Sequence, residues 1–283
     1  MDRFYDLVVV GGGLSGLCCA IAAARNGART ALIHNRPVLG GNASSEVRMH
    51  VCGAGGLYCR RPNARETGII EEILLENKRR NPTHCFSVFD SVLWEKAKAE
   101  PNLALYLNCH VFDLRCAEGA IEFVEAFQLT TERRFRFHAP LFADTTGDAF
   151  LAAGAGATIL RGTESAQEYG EEIAPPEPSP CTMGNSLLFQ AVDRGHPVPF
   201  VPPAWANRYS EADLALRDHR EIESGYWWIE LGGERDTIAD FEAIRDDLLR
   251  VVYGVWDHIK NGGDHGAANY DLVWVQALPG KRE

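Results

Sequence analysis

An α/β fold built around a buried parallel sheet is what three features of this sequence predict. They are an apolar, β-branched run at residues 5–10, a glycine-rich turn at 11–16 that opens a helix of small residues, and a second apolar run at 30–33. A strand covered on both faces reads as unbroken hydrophobicity. The helix ends near Asn26 with Gly27 as its stop, and Ala20, Ala22, Ala23 and Ala24 keep it slim enough to lie close on the sheet. Together these residues predict a strand, helix, strand unit.

The next stretch, "GGNASSEVRMHVCG" (40–53), alternates charged and apolar residues. Read as a strand, it puts Glu46, Arg48 and His50 on one face and Val47, Met49 and Val51 on the other. "RETGIIEEILLENKRRN" and "SVFDSVLWEKAKAEP" then read as amphipathic packing helices, the second ended by Pro101. "LALYLN", "CHVFDLRCAEG", "AIEFVEAFQLTTE" and "RRFRFHA" predict a β-meander, which feeds a buried strand in "PLFADTTGDAF".

From Gly162 an acidic, proline-rich segment reads as a linker or surface loop. Beyond it come candidate strands "NSLLFQAVD" and "GYWWIEL", then a helix over 237–261 with Asp236 as N-cap and Gly262 as stop. Its expected buried stripe is Ile238, Phe241, Ile244, Leu248, Val251 and Val255, and "YDLVWVQALPG" reads as a last strand. The domains expected are 1–160 for a nucleotide-binding unit and 161–283 for a linker and substrate region.

Composition narrows the function. The 283 residues carry a net charge of -11 without a long Lys/Arg block, which argues against a nucleic-acid partner. No apolar run spans a bilayer and residues 1–6 are not a signal peptide, so the expected location is cytoplasmic, away from the membrane. Eight cysteines without a Cys-x-x-Cys pair indicate neither a disulfide scaffold nor structural zinc, and no metal site is expected.

Gly11, Gly13 and Gly16 fit G-x-G-x-x-G directly between a buried strand and a helix, the context that a dinucleotide site requires. There the helix N-terminus offers N–H groups to a pyrophosphate. An acid commonly follows at the end of the second strand to bind ribose. Here His34 stands, followed by Asn35 and Arg36, as a ribose-binding group or as an ordinary loop residue.

"VVVGGGLSGLCCAIAAARNGARTALIHNRPVLGGNASSEVR" resembles the FAD-dependent oxidoreductases of the glutathione-reductase-like flavin fold. "LFADTTGDAFLAAGAGA", "MGNSLLF", "YWWIELGG", "VYGVWDHIKN" and "LPGKRE" resemble later segments of the same group, which includes relatives of the large flavin-binding component of heterodisulfide reductase. The resemblance implies a Rossmann-like three-layer FAD/NAD(P)-binding fold with a β-meander and an appended, truncated α+β substrate region, in the N-terminal portion of a longer chain.

The resemblance also implies bound FAD. It places Gly11, Gly12, Gly13, Leu14, Ser15 and Gly16 at the pyrophosphate, and His34, Asn35 and Arg36 near the adenosine ribose. Gly40, Gly41, Asn42 and Ser45 fall on the flavin side, Val111 beside the adenine, and Thr146, Gly147 and Asp148 at a second FAD motif, where Asp148 can also cap the following helix. Ala43 and Arg48 occupy the positions of the redox cysteine pair in related disulfide reductases, so no dithiol relay is expected. An iron-sulfur cluster enters only by distant analogy, and the spacing of Cys52 and Cys59 does not support one.

The chemistry expected is hydride transfer between a small organic substrate and the flavin. Arg48 would bind and stabilise charge, His50 would move the accompanying proton, and Glu46 would share their face. The alternative for these three is a solvated or salt-bridged strand face. Tyr58, His84 and the Trp227–Trp228 pair are weaker substrate-side candidates. A non-catalytic flavin-binding module and a nicotinamide-dependent dehydrogenase are the competing functions, the latter disfavoured by a meander at 103–138. The electron acceptor is unnamed and homo-oligomerisation is left open.

Overall fold

The computed structural model describes residues 1–54, 64–263 and 265–281; Tyr58 and Cys59 lie outside the described residues. The chain divides into two units, Met1–Ile159 and Leu160–Glu283.

The first unit holds β1 (Asp2–Phe4), β2 (Leu7–Val10), α1 (Leu14–Arg25), β3 (Thr30–Ile33), α2 (Ile69–Arg80), α3 (Phe86–Lys98), β4 (Leu103–Tyr106), β5 (Cys109–Ala117), β6 (Ala120–Gln128), β7 (Arg133–His138), β8 (Leu141–Asp144) and α4 (Phe150–Gly154). β4, β3, β2 and β8 form a parallel sheet in that order, with Val10 beside Ile33 on one side and Asp144 on the other. β5, β6 and β7 form the antiparallel meander, extended by β1 parallel to β7. "LALYLN" thus supplies a parallel-sheet strand rather than the meander's first: its apolar residues alternate between two buried faces of the unit, which the run alone does not reveal.

The pleat makes three layers. Val9 and Leu32 face the helices and pack with Leu17, Ile21, Ile73, Phe89 and Leu93. Val8, Val10, Ala31 and Ile33 face the other way, onto Val111, Val124, Phe135 and Phe137 of the meander. Alternation puts neighbours of one strand into different cores, so β2 belongs to both. On the meander side Tyr106 sets its ring edge against Phe137 at 4.8 Å, and its hydroxyl lies 2.8 Å from that of Tyr5.

The second unit holds α5 (Ala166–Tyr169), β9 (Asn185–Ser186), β10 (Phe189–Asp193), β11 (Glu230–Leu231), α6 (Phe241–Asn261) and β12 (Tyr270–Val275). β10 pairs antiparallel with β12, and β9 with β11. α6 packs Ile244, Leu248, Val252, Val255, Trp256 and Ile259 into this unit's core. It begins four residues later than the sequence predicts. Asp236 accepts the N–H groups of Ile238 and Ala239, each at 2.9 Å, and so caps a preceding turn. Ile238, expected on the buried stripe, is 53% exposed. The aromatic segment 225–231 is strand only at its end: Tyr226 is buried, Trp228 stacks on it at 5.1 Å, and Trp227 is exposed.

Candidate functional site

The glycine turn follows β2 at once. Gly11 has φ +110, and a Cβ there would stand 2.0 Å from the Thr145 carbonyl oxygen. Gly16 lets α1 close onto the turn, because a Cβ would stand 1.9 Å from the Gly11 oxygen. Thr145 locks the arrangement by aiming its hydroxyl at the carbonyls of Val10 (2.9 Å) and Gly11 (2.8 Å).

Gly12 donates its N–H to His34 Nδ1 at 3.0 Å. His34 is buried. Burial pushes its pKa from 6.5 down to about 4, against an opposing pull from the Glu46 carboxylate. The ring is therefore neutral near pH 7. Its place is beneath the glycine turn, as part of the turn's support.

α1 opens with Gly13 as N-cap and no side-chain cap. The N–H groups of the first turn have no intrahelical partner, and the dipole's positive end adds to their field. They face a cavity of about 320 Å³ lined by Gly13, Leu14, Ser15, Gly40, Gly41, Asn42, Ala43, Met49, His50 and Val51. That lining contains no carboxylate, and a Cβ on Gly13 would meet nothing within 4 Å. Backbone donors, a dipole and free approach fit the pyrophosphate of a dinucleotide.

The segment after the double glycine corrects the strand reading. Gly41–Ala43 is a single 3₁₀ turn, residues 45–47 continue in turns, and no strand forms over 44–54. Ser44 accepts the N–H groups of Val47 and Arg48 on its carbonyl, while Asp90 of α3 accepts the Ser45 N–H at 3.0 Å. Arg48 is turned to φ +62, which breaks the alternation. Glu46 is held in a two-point pair with Arg36, at 2.9 and 2.6 Å. The Arg48 Nε donates to the Ser45 carbonyl, and burial lowers the guanidinium's pKa from its usual range, with Cys85 and Asp90 as charge neighbours. His50 borders the cavity, its Nε2 3.4 Å from Cys52 Sγ. Glu46, Arg48 and His50 therefore share no face.

The second motif also differs in one role. The Asp144 carboxylate, at the end of β8, accepts the N–H groups of Leu151 (2.7 Å) and Ala152 (3.0 Å) and the Thr146 hydroxyl (2.7 Å). Asp144 thus caps α4, and the Asp148 N–H leans on the Thr146 hydroxyl at 3.3 Å. Gly147 is exposed with φ +83. Asn35 is exposed, Val111 is 6% exposed in the meander core, and His84 is an exposed residue at φ +54. Sequence reasoning missed both Asp144 and Thr145; an acid and a hydroxyl at the end of an apolar strand run were the available signal.

Comparison with known proteins adds to this geometry. A stretch of 109 residues is 34% identical to one of the subunits of the anaerobic glycerol-3-phosphate dehydrogenase of Actinobacillus pleuropneumoniae, and covers 38% of this chain. The match spans only 23% of that relative's length. A geranylgeranyl bacteriochlorophyll reductase-like protein of Thermoplasma acidophilum aligns at 15% identity and TM-score 0.42, over 68% of this chain and 48% of that one. A flavin-dependent brominase aligns at 13% identity and TM-score 0.43, over 72% and 49%. At such scores neither structure adds weight. What does is the match of residues 6–283 to the family model for FAD-dependent oxidoreductases. With a strand, glycine turn, helix and meander in place inside that span, the chain belongs to the FAD-dependent oxidoreductase family.

Proposed function

We propose that the chain holds FAD with its pyrophosphate at the N-terminus of α1 and passes a hydride between a small organic substrate and that flavin. The observation that carries this reading is the uncapped helix end facing a carboxylate-free cavity. When bound, the flavin supplies the redox chemistry, accepting or donating the hydride. Gly11, Gly12, Gly13, Leu14, Ser15 and Gly16 form the cradle. Gly40, Gly41, Asn42 and Ser45 lie on the flavin side, His34, Asn35 and Arg36 toward the ribose, Val111 toward the adenine, and Thr146, Gly147 and Asp148 at the second motif.

His50 is the proposed proton carrier: it borders the cavity, and an imidazole nitrogen can both accept and donate a proton. Glu46 and Arg48 act as positioning residues, since one is spent on Arg36 and the other on the Ser45 carbonyl, which together shape the loop that carries His50. The relative matched over 109 residues is named as a subunit of a dehydrogenase, which supports a protein partner as electron acceptor. Among the described residues no helix is long and apolar enough to cross a membrane.

The visible spectrum of the purified chain tests the proposal, with the chromophore released and identified. Stoichiometric FAD that a substrate bleaches is the expected result. A colourless chain that takes up no added FAD refutes it, and bound FAD that no donor reduces makes the chain a flavin-binding module.

A further inference from the structure

Three imidazoles and one carboxylate converge within the second unit. The ligand-capable atoms of Glu211, His219, His258 and His265 all lie within 4.8 Å of one another. His258 Nε2 stands 3.1 Å from Glu211 Oε2 and 3.1 Å from His265 Nε2. His219 Nε2 and His265 Nε2 are each 3.6 Å from the same carboxylate oxygen. Around a tetrahedral zinc ion with bonds of about 2.0–2.1 Å, neighbouring ligand atoms are about 3.3 Å apart. The observed spacings straddle that value.

The far sides of the rings fix their orientation. His219 Nδ1 lies 2.6 Å from the Arg217 carbonyl and His258 Nδ1 lies 3.1 Å from that of Tyr209. A carbonyl only accepts, so both Nδ1 atoms carry hydrogen and, in neutral rings, both Nε2 atoms are lone-pair acceptors. They face a carboxylate oxygen, which is also an acceptor. Such a contact at 3.1 Å is repulsive unless positive charge sits between the atoms. His219 and His258 are 6% and 5% exposed, and burying two imidazolium ions side by side is costly. One divalent ion supplies the charge with both rings neutral. Imidazoles that donate Nδ1–H to backbone carbonyls are also the usual support of metal-binding histidines.

The fold brings these four residues together by separate devices. His258 stands in the last turn of α6. Gly254, one turn earlier, lets the strap at Asn207 lie against the helix, because a Cβ there would be 2.5 Å from the Asn207 oxygen, and this strap carries Glu211. The buried Tyr226 hydroxyl donates to the His219 carbonyl at 2.9 Å. Lys260 Nζ donates to the carbonyls of Ala267, Ala268 and Tyr270 at 2.8, 2.6 and 2.6 Å, which folds the chain back after the helix and sets His265.

We infer that Glu211, His219, His258 and His265 bind one divalent transition-metal ion, with Zn²⁺ the best match, and that it pins the 207–219 segment to the end of α6. Three imidazole nitrogens and one carboxylate suit zinc, whereas calcium and magnesium take oxygen donors. The Glu211 side chain is 70% exposed, so the ion enters from solvent on that side.

The test uses the untagged full chain, stripped with a chelator and dialysed. Zn²⁺ uptake is measured by competition with a chromogenic chelator, and Co²⁺ uptake by visible absorption. We expect one ion per chain, tetrahedral Co²⁺ bands, and a thermal midpoint that falls on chelation. Glu211→Gln and His265→Gln alter the less buried ligands and leave the fold intact by circular dichroism; each should weaken Zn²⁺ binding by about 10-fold or more. Two results overturn the inference: a folded chain that takes up neither ion, or uptake that both variants leave unchanged, which puts the metal elsewhere.

Discussion

Acid should loosen the first unit through one buried ring. His34 accepts the Gly12 N–H on Nδ1, so its other nitrogen carries the hydrogen, and an added proton must enter the occupied acceptor position. Burial, helped by the nearby Arg36 charge, holds its pKa at about 4, against 6.5 in an unfolded chain. The folded pKa is the lower one, so the folded state disfavours the charged ring. Its stability is full above pH 6.5, declines as the unfolded chain gains its proton, and reaches its floor near pH 4. A gap of about 2.5 units, at about 1.4 kcal/mol per unit, amounts to about 3 kcal/mol.

His34→Asn keeps an acceptor near the Nδ1 position and removes the titration. Urea unfolding of wild type and His34→Asn should be followed at several pH values from 7 to 4. The wild-type advantage should shrink by about 2–3 kcal/mol over that interval. Because other carboxylates titrate in both proteins, the difference isolates the ring. Parallel pH profiles for the two proteins would refute the buried neutral imidazole.

Two substitutions probe the turn and its neighbour. Asp144→Ala removes the acceptor for Leu151, Ala152 and Thr146, and should destabilise the first unit by about 1–2 kcal/mol in denaturant titrations, with early exchange of the α4 amides. Gly16→Ala forces a methyl to within 1.9 Å of the Gly11 oxygen, and should lower stability by about 1–3 kcal/mol and abolish retention of FAD through gel filtration. A variant that keeps the cofactor would show that α1 can slide off the turn without cost.

The strand, helix, strand unit was legible because its signals are local: continuous hydrophobicity for strands buried on both faces, glycines at the turn, and alanines on the helix. The meander was legible through its turn signals. Residues 45–51 were not, although they alternate as a strand should. Here the backbone bonds go to a 3₁₀ turn, to Ser44 and to Asp90 on α3, and α3 lies more than forty residues along the chain, outside any local pattern. The same limit explains the helix cap, where Asp144 reaches seven and eight residues forward. The histidine cluster was invisible for a simpler reason. Its members are spread from 211 to 265 without a recurring spacing, and only the packing of α6 against the 207–219 segment brings them within reach of one another.

The bond from the Thr145 hydroxyl back to Val10 and Gly11 also bears on how the chain is made. β2 gains its partner β3 after one short helix, but its other neighbour, β8, arrives more than 130 residues later. At typical rates of synthesis that delay is on the order of ten seconds. Until then the nucleotide turn lacks one wall, and the apolar edge of β2 stands open to any other strand. Conditions that slow elongation between residues 34 and 141 should therefore raise the demand for chaperones on nascent chains, while the finished protein is unaffected.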